Sequence, residues 1–155
     1  MAARKKSKSR SKGKSPRSPA RKSAPAGKKV IRRRSPAAKL AANKKLVLAF
    51  YEQIIGRKDF DGALKYMGAT YKQHAPYAAD GHAGLRAWLA GFKAAFPNHR
   101  YEVKRVLAEG DHVMLHLHGM GGPNPHGESV VDIFRVENGK VVEHWDIIQP
   151  IPDTA

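Results

Sequence analysis

Between Ser129 and Ile148 the chain reads SVVDIFRVENGKVVEHWDII, and three of its side chains do not suit their surroundings. Asp132, His144 and Asp146 interrupt runs of Val, Ile, Phe and Trp. A lone carboxylate buried there would cost several kcal/mol, whereas one bonded to an imidazole is compensated. The same pairing suits proton transfer, because imidazole titrates near neutrality and a carboxyl kept from water rises toward it. Groups of like chemistry lie upstream: Tyr51, His74 just before Ala75-Pro76, and His112, His116 and His118 in HVMLHLH. Two imidazoles at i, i+2 with a carboxylate can hold Zn²⁺ or Fe²⁺. His112 and His116 are nevertheless expected on an outer face, and no metal is assigned. His118, near a strand end by the pocket, is placed closest to Asp132.

A β-hairpin must position the first three groups, since two Val/Ile-rich runs flank Asn138-Gly139. A two-residue turn would set Asp132 opposite Trp145. A three-residue turn, with Gly139 left-handed in a bulge, would set Asp132 opposite His144. The second register is preferred. It puts Val130, Asp132, Phe134, His144, Asp146 and Ile148 on one face and leaves Arg135 diagonal to Glu143 on the other. Asp132–His144 then serves either as an acid/base pair or as a tie within the hairpin.

The remaining elements follow from periodicity and caps. Ser35-Pro36 reads as a helix start, with Leu40, Val47, Phe50, Tyr51, Ile54 and Ile55 at helical spacing before Gly56. Asp59 caps a short second helix, ATYKQHAPY is a strand running into a loop, and a third helix spans about 82–96 with Trp88 on its apolar face. From His99 on the pattern alternates like sheet. Helices followed by a meander imply an α+β fold, with a curved antiparallel sheet wrapped around helices to enclose a pocket. Trp145 and Ile147 on the outer face suit an interface with a second copy.

Charge divides the chain in two. Residues 1–40 hold 16 Lys/Arg and no acid, while residues 41–155 hold 13 of each sign. The first 36 residues are a Lys/Arg/Ser/Pro-rich segment expected to be disordered, and residues 37–152 form one domain. Lys5, Lys6, Arg17, Arg21, Lys28, Lys29, Arg32, Arg33 and Arg34 are the candidate phosphate contacts for non-specific nucleic-acid binding. No aromatic is interleaved, so base readout is not expected. Lys28 to Arg34 would also serve as a nuclear import signal, and a mitochondrial transit peptide is a lesser option. The 155 residues include no cysteine, which removes thiolate metal sites and leans toward an intracellular, cytoplasmic setting, with nucleoid or nuclear association through the basic segment. No apolar run approaches a membrane span.

GRKDFDGAL, YKQHAPYAADGHAGL, AEGDHVMLHLHG and VVDIFRVENGKVVEHWDIIQ resemble the SnoaL-like branch of the nuclear transport factor 2-like superfamily over about residues 40–150. The basic segment resembles linker-histone tails. The first resemblance implies a cone-shaped α+β barrel with a deep pocket, dimeric through its sheet, and metal-free, cofactor-free aldol cyclisation with an Asp at the position of Asp132. Ketosteroid isomerase, in the same superfamily, implies roles for Tyr51, for Asp132 at the dienolate oxygen and for a base where His74 stands. That base is an Asp in the isomerase, so His74 argues against a steroid isomerase proper. The expected function is acid/base chemistry on a small apolar carbonyl compound. The alternative is a non-catalytic ligand-binding or dimerisation domain tethered to nucleic acid. The catalytic set is Asp132, His74, His144, Tyr51, Asp146 and His118, in a pocket lined by Phe50, Trp88, Phe134 and Ile148. Either His74 is the base, with Tyr51 and a protonated Asp132 as donors, or Asp132 orients His144 as the acid/base.

Overall fold

The computed structural model describes residues 35–153. The nine basic residues assigned to nucleic acid, Lys5 through Arg34, lie outside that range. Ser35 accepts a hydrogen bond from Ala38 N–H at 3.2 Å and Pro36 opens α1 (Pro36–Tyr51), as the cap and first-turn preferences require. The helix runs on into a π turn, Glu52–Gly56, and buries Val47, Phe50, Tyr51, Ile54 and Ile55 along one side. Asp59 caps the short α2 (Phe60–Ala63) through Gly62 N–H at 2.9 Å. Then come β1 (Met67–Gln73) and α3 (Gly81–Ala95), which buries Leu85 and Leu89. The Asp80 carboxylate joins these two elements, accepting from Gln73 N–H at 2.7 Å and Gly81 N–H at 2.9 Å. The Gln73 bond is the chief reason its pKa falls below the ordinary carboxylate value.

The other strands are β2 (Arg100–Glu109), β3 (His112–Met120), β4 (Glu128–Glu137) and β5 (Lys140–Pro150), and the sheet order is β1-β5-β4-β3-β2. The α+β class is as expected, with helices packed against a sheet that is not closed. The sheet is mixed rather than wholly antiparallel, because β1 runs parallel to β5. The chain between them passes through α3 and three strands, so no hairpin dictates opposite directions. Val113, Leu115 and Leu117 of β3, Phe134 and Val136 of β4 and Val141 of β5 pack beneath α1 and α3 as one core. Among the described residues no helix is long and apolar enough to cross a membrane.

The hairpin register departs from the preferred one. Asn138 (φ 51°) and Gly139 (φ 72°) both take positive φ, and Glu137 pairs with Lys140 and Val136 with Val141. This is the two-residue turn that Asn-Gly favours. Arg135, however, pairs with Glu143, so Val142 is left unopposed as a bulge. The additional residue thus sits one step beyond the turn rather than within it. Both faces keep the expected membership, but the partners move by two residues: Asp132 lies opposite Asp146 and Phe134 opposite His144. Arg135 faces Glu143 directly, with Nε donating to Oε2 at 2.7 Å.

Candidate active site

The inner sheet face and the facing sides of α1 and α3 line a cavity of about 90 Å³. Phe50, Trp88, Phe134 and Ile148, expected in the pocket, all line it. So do Tyr71, Tyr77 and Phe92, which the sequence reading missed although Phe92 lies on the same helical stripe as Trp88. Among the described residues the basic side chains in the lining are His99 and His144, the acids are Glu128, Asp132 and Asp146, and no Lys or Arg contributes.

The expected hairpin pair is present, diagonally across the strands. His144 Nε2 lies 2.8 Å from Asp132 Oδ1, and both residues are buried. The other ring nitrogen, Nδ1, lies 2.8 Å from Gln73 Oε1, and that oxygen also accepts Ala75 N–H at 3.1 Å. The Phe134 ring stacks on the imidazole at 4.7 Å. Asp132 Oδ2 is buried and, among the described residues, has no hydrogen-bond partner within 3.5 Å, the neighbouring Tyr51 hydroxyl included, a costly condition that native proteins seldom leave unexplained. The Tyr51 hydroxyl is held neutral well above the usual tyrosine range, first by burial and then by the neighbouring Asp132 charge. Tyr71 is pushed up for the same two reasons, in the same order. Burial raises the Asp146 carboxyl from 3.8 to about 6.

Asp132, His144 and Asp146 present ligand atoms within 4.8 Å of one another. A cation held there would have to displace the proton shared by Nε2 and Oδ1, so the three fit a hydrogen-bonded pair with a neighbouring acid at least as well as a metal centre.

Two expected members are elsewhere. His74 lies on the outer face, its ring stacked on Trp145 at 4.6 Å and its Nε2 2.8 Å from Glu143 Oε1. Strand alternation explains this: Tyr71 and Gln73 point inward, so the next side chain points out. Gln73 therefore occupies the place given to His74, and counting inward from Tyr71 would have found it. His118 likewise faces outward, because Leu115 and Leu117 of the same strand face in. Its Nε2 lies 3.4 Å from the His126 carbonyl oxygen, not beside Asp132. His112 and His116 share that outer face, as expected, with His112 paired to Asp111 and His116 bonded to Arg105 and Ser129. His99, also missed, lines the cavity, and burial followed by the Lys58 charge lowers its pKa.

Solved structures share this architecture. AclR of Streptomyces galilaeus, a candidate hydroxylase, is 28% identical, with 71% of this chain and 80% of that one covered and a TM-score of 0.59. A candidate polyketide cyclase from Bacillus cereus is 21% identical over 74% and 81% of the two chains, with a TM-score of 0.62. IdmH of Streptomyces antibioticus, also a candidate polyketide cyclase, is 20% identical over 69% and 91%, with a TM-score of 0.58. No curated protein matches the chain in sequence. The SnoaL-like domain model matches residues 47–144, from the middle of α1 to the imidazole that bonds Asp132, and the chain belongs to that family.

Proposed function

We propose that the domain is an enzyme that moves protons on a small neutral carbonyl compound, of the aldol-cyclase or isomerase type. The observation that carries this reading is the buried, unpartnered Asp132 Oδ2 in an apolar cavity. That oxygen would take the proton from the carbon beside the carbonyl. The C–H electron pair would form the C=C bond of an enolate, and negative charge would develop on the carbonyl oxygen. Tyr51 O–H and the protonated form of Asp146 are the available donors to that oxygen, and donors aimed at developing charge supply much of such catalysis. The enolate carbon would then attack a second carbonyl or take the proton back at another position. Neither route requires a metal or a cofactor. A lining that, among the described residues, holds three acids and no Lys or Arg supports a neutral substrate over a carboxylate or phosphate. The candidate cyclases among the similar structures support the same chemistry by fold.

The test uses 2-tetralone and 1-indanone as probes, screened by thermal shift and then followed by NMR for exchange of their α-hydrogens in D₂O. Exchange above the buffer rate is expected, with Asp132→Asn lowering it by about 10²-fold or more. The variant should melt within about 1–2 kcal/mol of the native protein, because an amide can still bond imidazole. Binding without exchange would instead favour a non-catalytic ligand-binding domain.

Two further assignments belong to this reading. Leu107, Met114, Ile133 and Trp145 are successive cross-strand partners in an apolar row on the outer sheet face, and we assign this row to a second copy of the chain. The 16 Lys/Arg and no acid of residues 1–40 are assigned to non-specific nucleic-acid binding.

A further inference from the structure

We infer that His144 is not the proton-transfer group of the site but a doubly donating clamp. Gln73 and His144 together hold Asp132 ionised with Oδ2 turned to the cavity. The inference rests on the reading of Asp132 as the base and assigns the work around it.

Gln73 Oε1 meets two groups, Ala75 N–H and His144 Nδ1. Ala75 N–H, 3.1 Å away, can only donate, so the atom it meets must be the amide oxygen. With Oε1 so placed, His144 Nδ1 at 2.8 Å has to carry a hydrogen and donate it. On the other side of the ring, Nε2 and Asp132 Oδ1 at 2.8 Å must share one proton between them. That proton is placed on Nε2, because imidazolium and carboxylate 2.8 Å apart in a dry site stabilise each other's charge. The ring is then an imidazolium with both N–H bonds committed. It has no lone pair and no spare hydrogen to offer a ligand. Phe134 covers one of its faces, and the charge it carries is balanced by the Asp132 carboxylate.

The dependence is the reverse of a carboxylate that merely orients a catalytic histidine. Here the histidine spends both hydrogens so that one carboxylate oxygen stays bare. Gln73 and His144 are positioning residues, and the ligand meets Asp132 Oδ2, which requires a hydrogen-bond donor or an acidic C–H.

The experiment is ¹⁵N NMR of the full chain with ¹⁵N-labelled histidine at pH 7, without ligand, the His144 signals being assigned by their loss in His144→Asn. Both His144 nitrogens are expected at the positions of protonated ring nitrogens. A bare Nε2 would put the proton on Asp132 and overturn the clamp. A bare Nδ1 would overturn it by reversing the Gln73 amide. In Gln73→Leu, Nδ1 is expected to lose its hydrogen while Nε2 keeps its own, and Gln73→Glu is expected to restore it. An Nδ1 that stays protonated in Gln73→Leu would also refute the role given to Gln73. Because no ligand is present, these spectra stand or fall separately from any turnover of the ketone probes.

Discussion

Asp146→Asn isolates a cavity carboxyl that burial holds against its charge. Desolvation lifts its pKa from 3.8 to about 6 against a smaller opposing pull from its own backbone N–H, and among the described residues no other side chain pairs with it. A carboxyl with a raised folded-state value binds its proton more tightly in the folded protein than in the unfolded chain. Folding therefore takes up a proton between those two values. Stability must fall as pH rises through roughly 4 to 6, and the full deficit is present above that window. About two pK units correspond to about 3 kcal/mol at 1.36 kcal/mol each. The side chain is only half-buried, so screening by water reduces this to about 1–2 kcal/mol.

An asparagine keeps the shape and removes the charge. At pH 7.5 the variant should melt higher by roughly 4–8 °C, taking about 4 °C per kcal/mol for a domain of this size. At pH 4, where the native carboxyl is already protonated, the gain should disappear. The assay is a pair of thermal melts at the two pH values, with exchange of the ketone probes measured alongside. Exchange should fall despite the higher melting temperature, because the amide cannot supply the acidic hydrogen. A variant less stable than the native protein at pH 7.5 would mean that the carboxylate is stabilised by something the geometry does not contain, and the argument from burial would fail.

Tyr51→Phe removes the hydroxyl beside Asp132; exchange of the ketone probes should drop by about 10²-fold, the scale for one lost donor at a developing oxyanion, and an unchanged rate would remove Tyr51 from the site. Leu107→Lys places a charge in the outer apolar row at a residue that is 54% exposed, so light scattering should show a smaller assembly with the cavity's ligand binding intact; an unaltered mass would move the interface elsewhere. Deleting residues 1–36 should abolish binding to duplex DNA, and the full-length protein should bind less tightly as salt rises; retention of DNA by the shortened chain would place the footprint on the domain instead.

The parts of the fold that local chemistry dictates were legible in the sequence. Ser35-Pro36 and Asp59 each act over three or four residues and form their predicted caps; Asn138-Gly139 makes the predicted hairpin, but with the two-residue turn in place of the preferred three-residue one. The pocket's apolar wall followed from the helical spacing of Phe50 and Trp88, and its polar face from the alternation around Asp132. His74 was misplaced because its role came from likeness to a catalytic base beside a proline, while the strand's own parity points Gln73 inward. The parallel placement of β1 was hidden for a different reason: it depends on a crossover through α3 and most of the sheet, and no local signal encodes that.

The bulge at Val142 was equally hidden, and the site depends on it. Val141 is fully buried in the core and His144 is nearly so beside Asp132, yet the two are three residues apart. In a regular strand that spacing sends them to opposite faces. Either Val141 would leave the core beside Val136, or His144 would join Trp145 on the outer face and Asp132 would lose its partner. With Val142 unopposed, the strand turns its parity over once, between the end that seals the core and the end that serves the cavity. The tight Asn-Gly turn and the inward imidazole would otherwise demand different registers, and one surplus residue satisfies both.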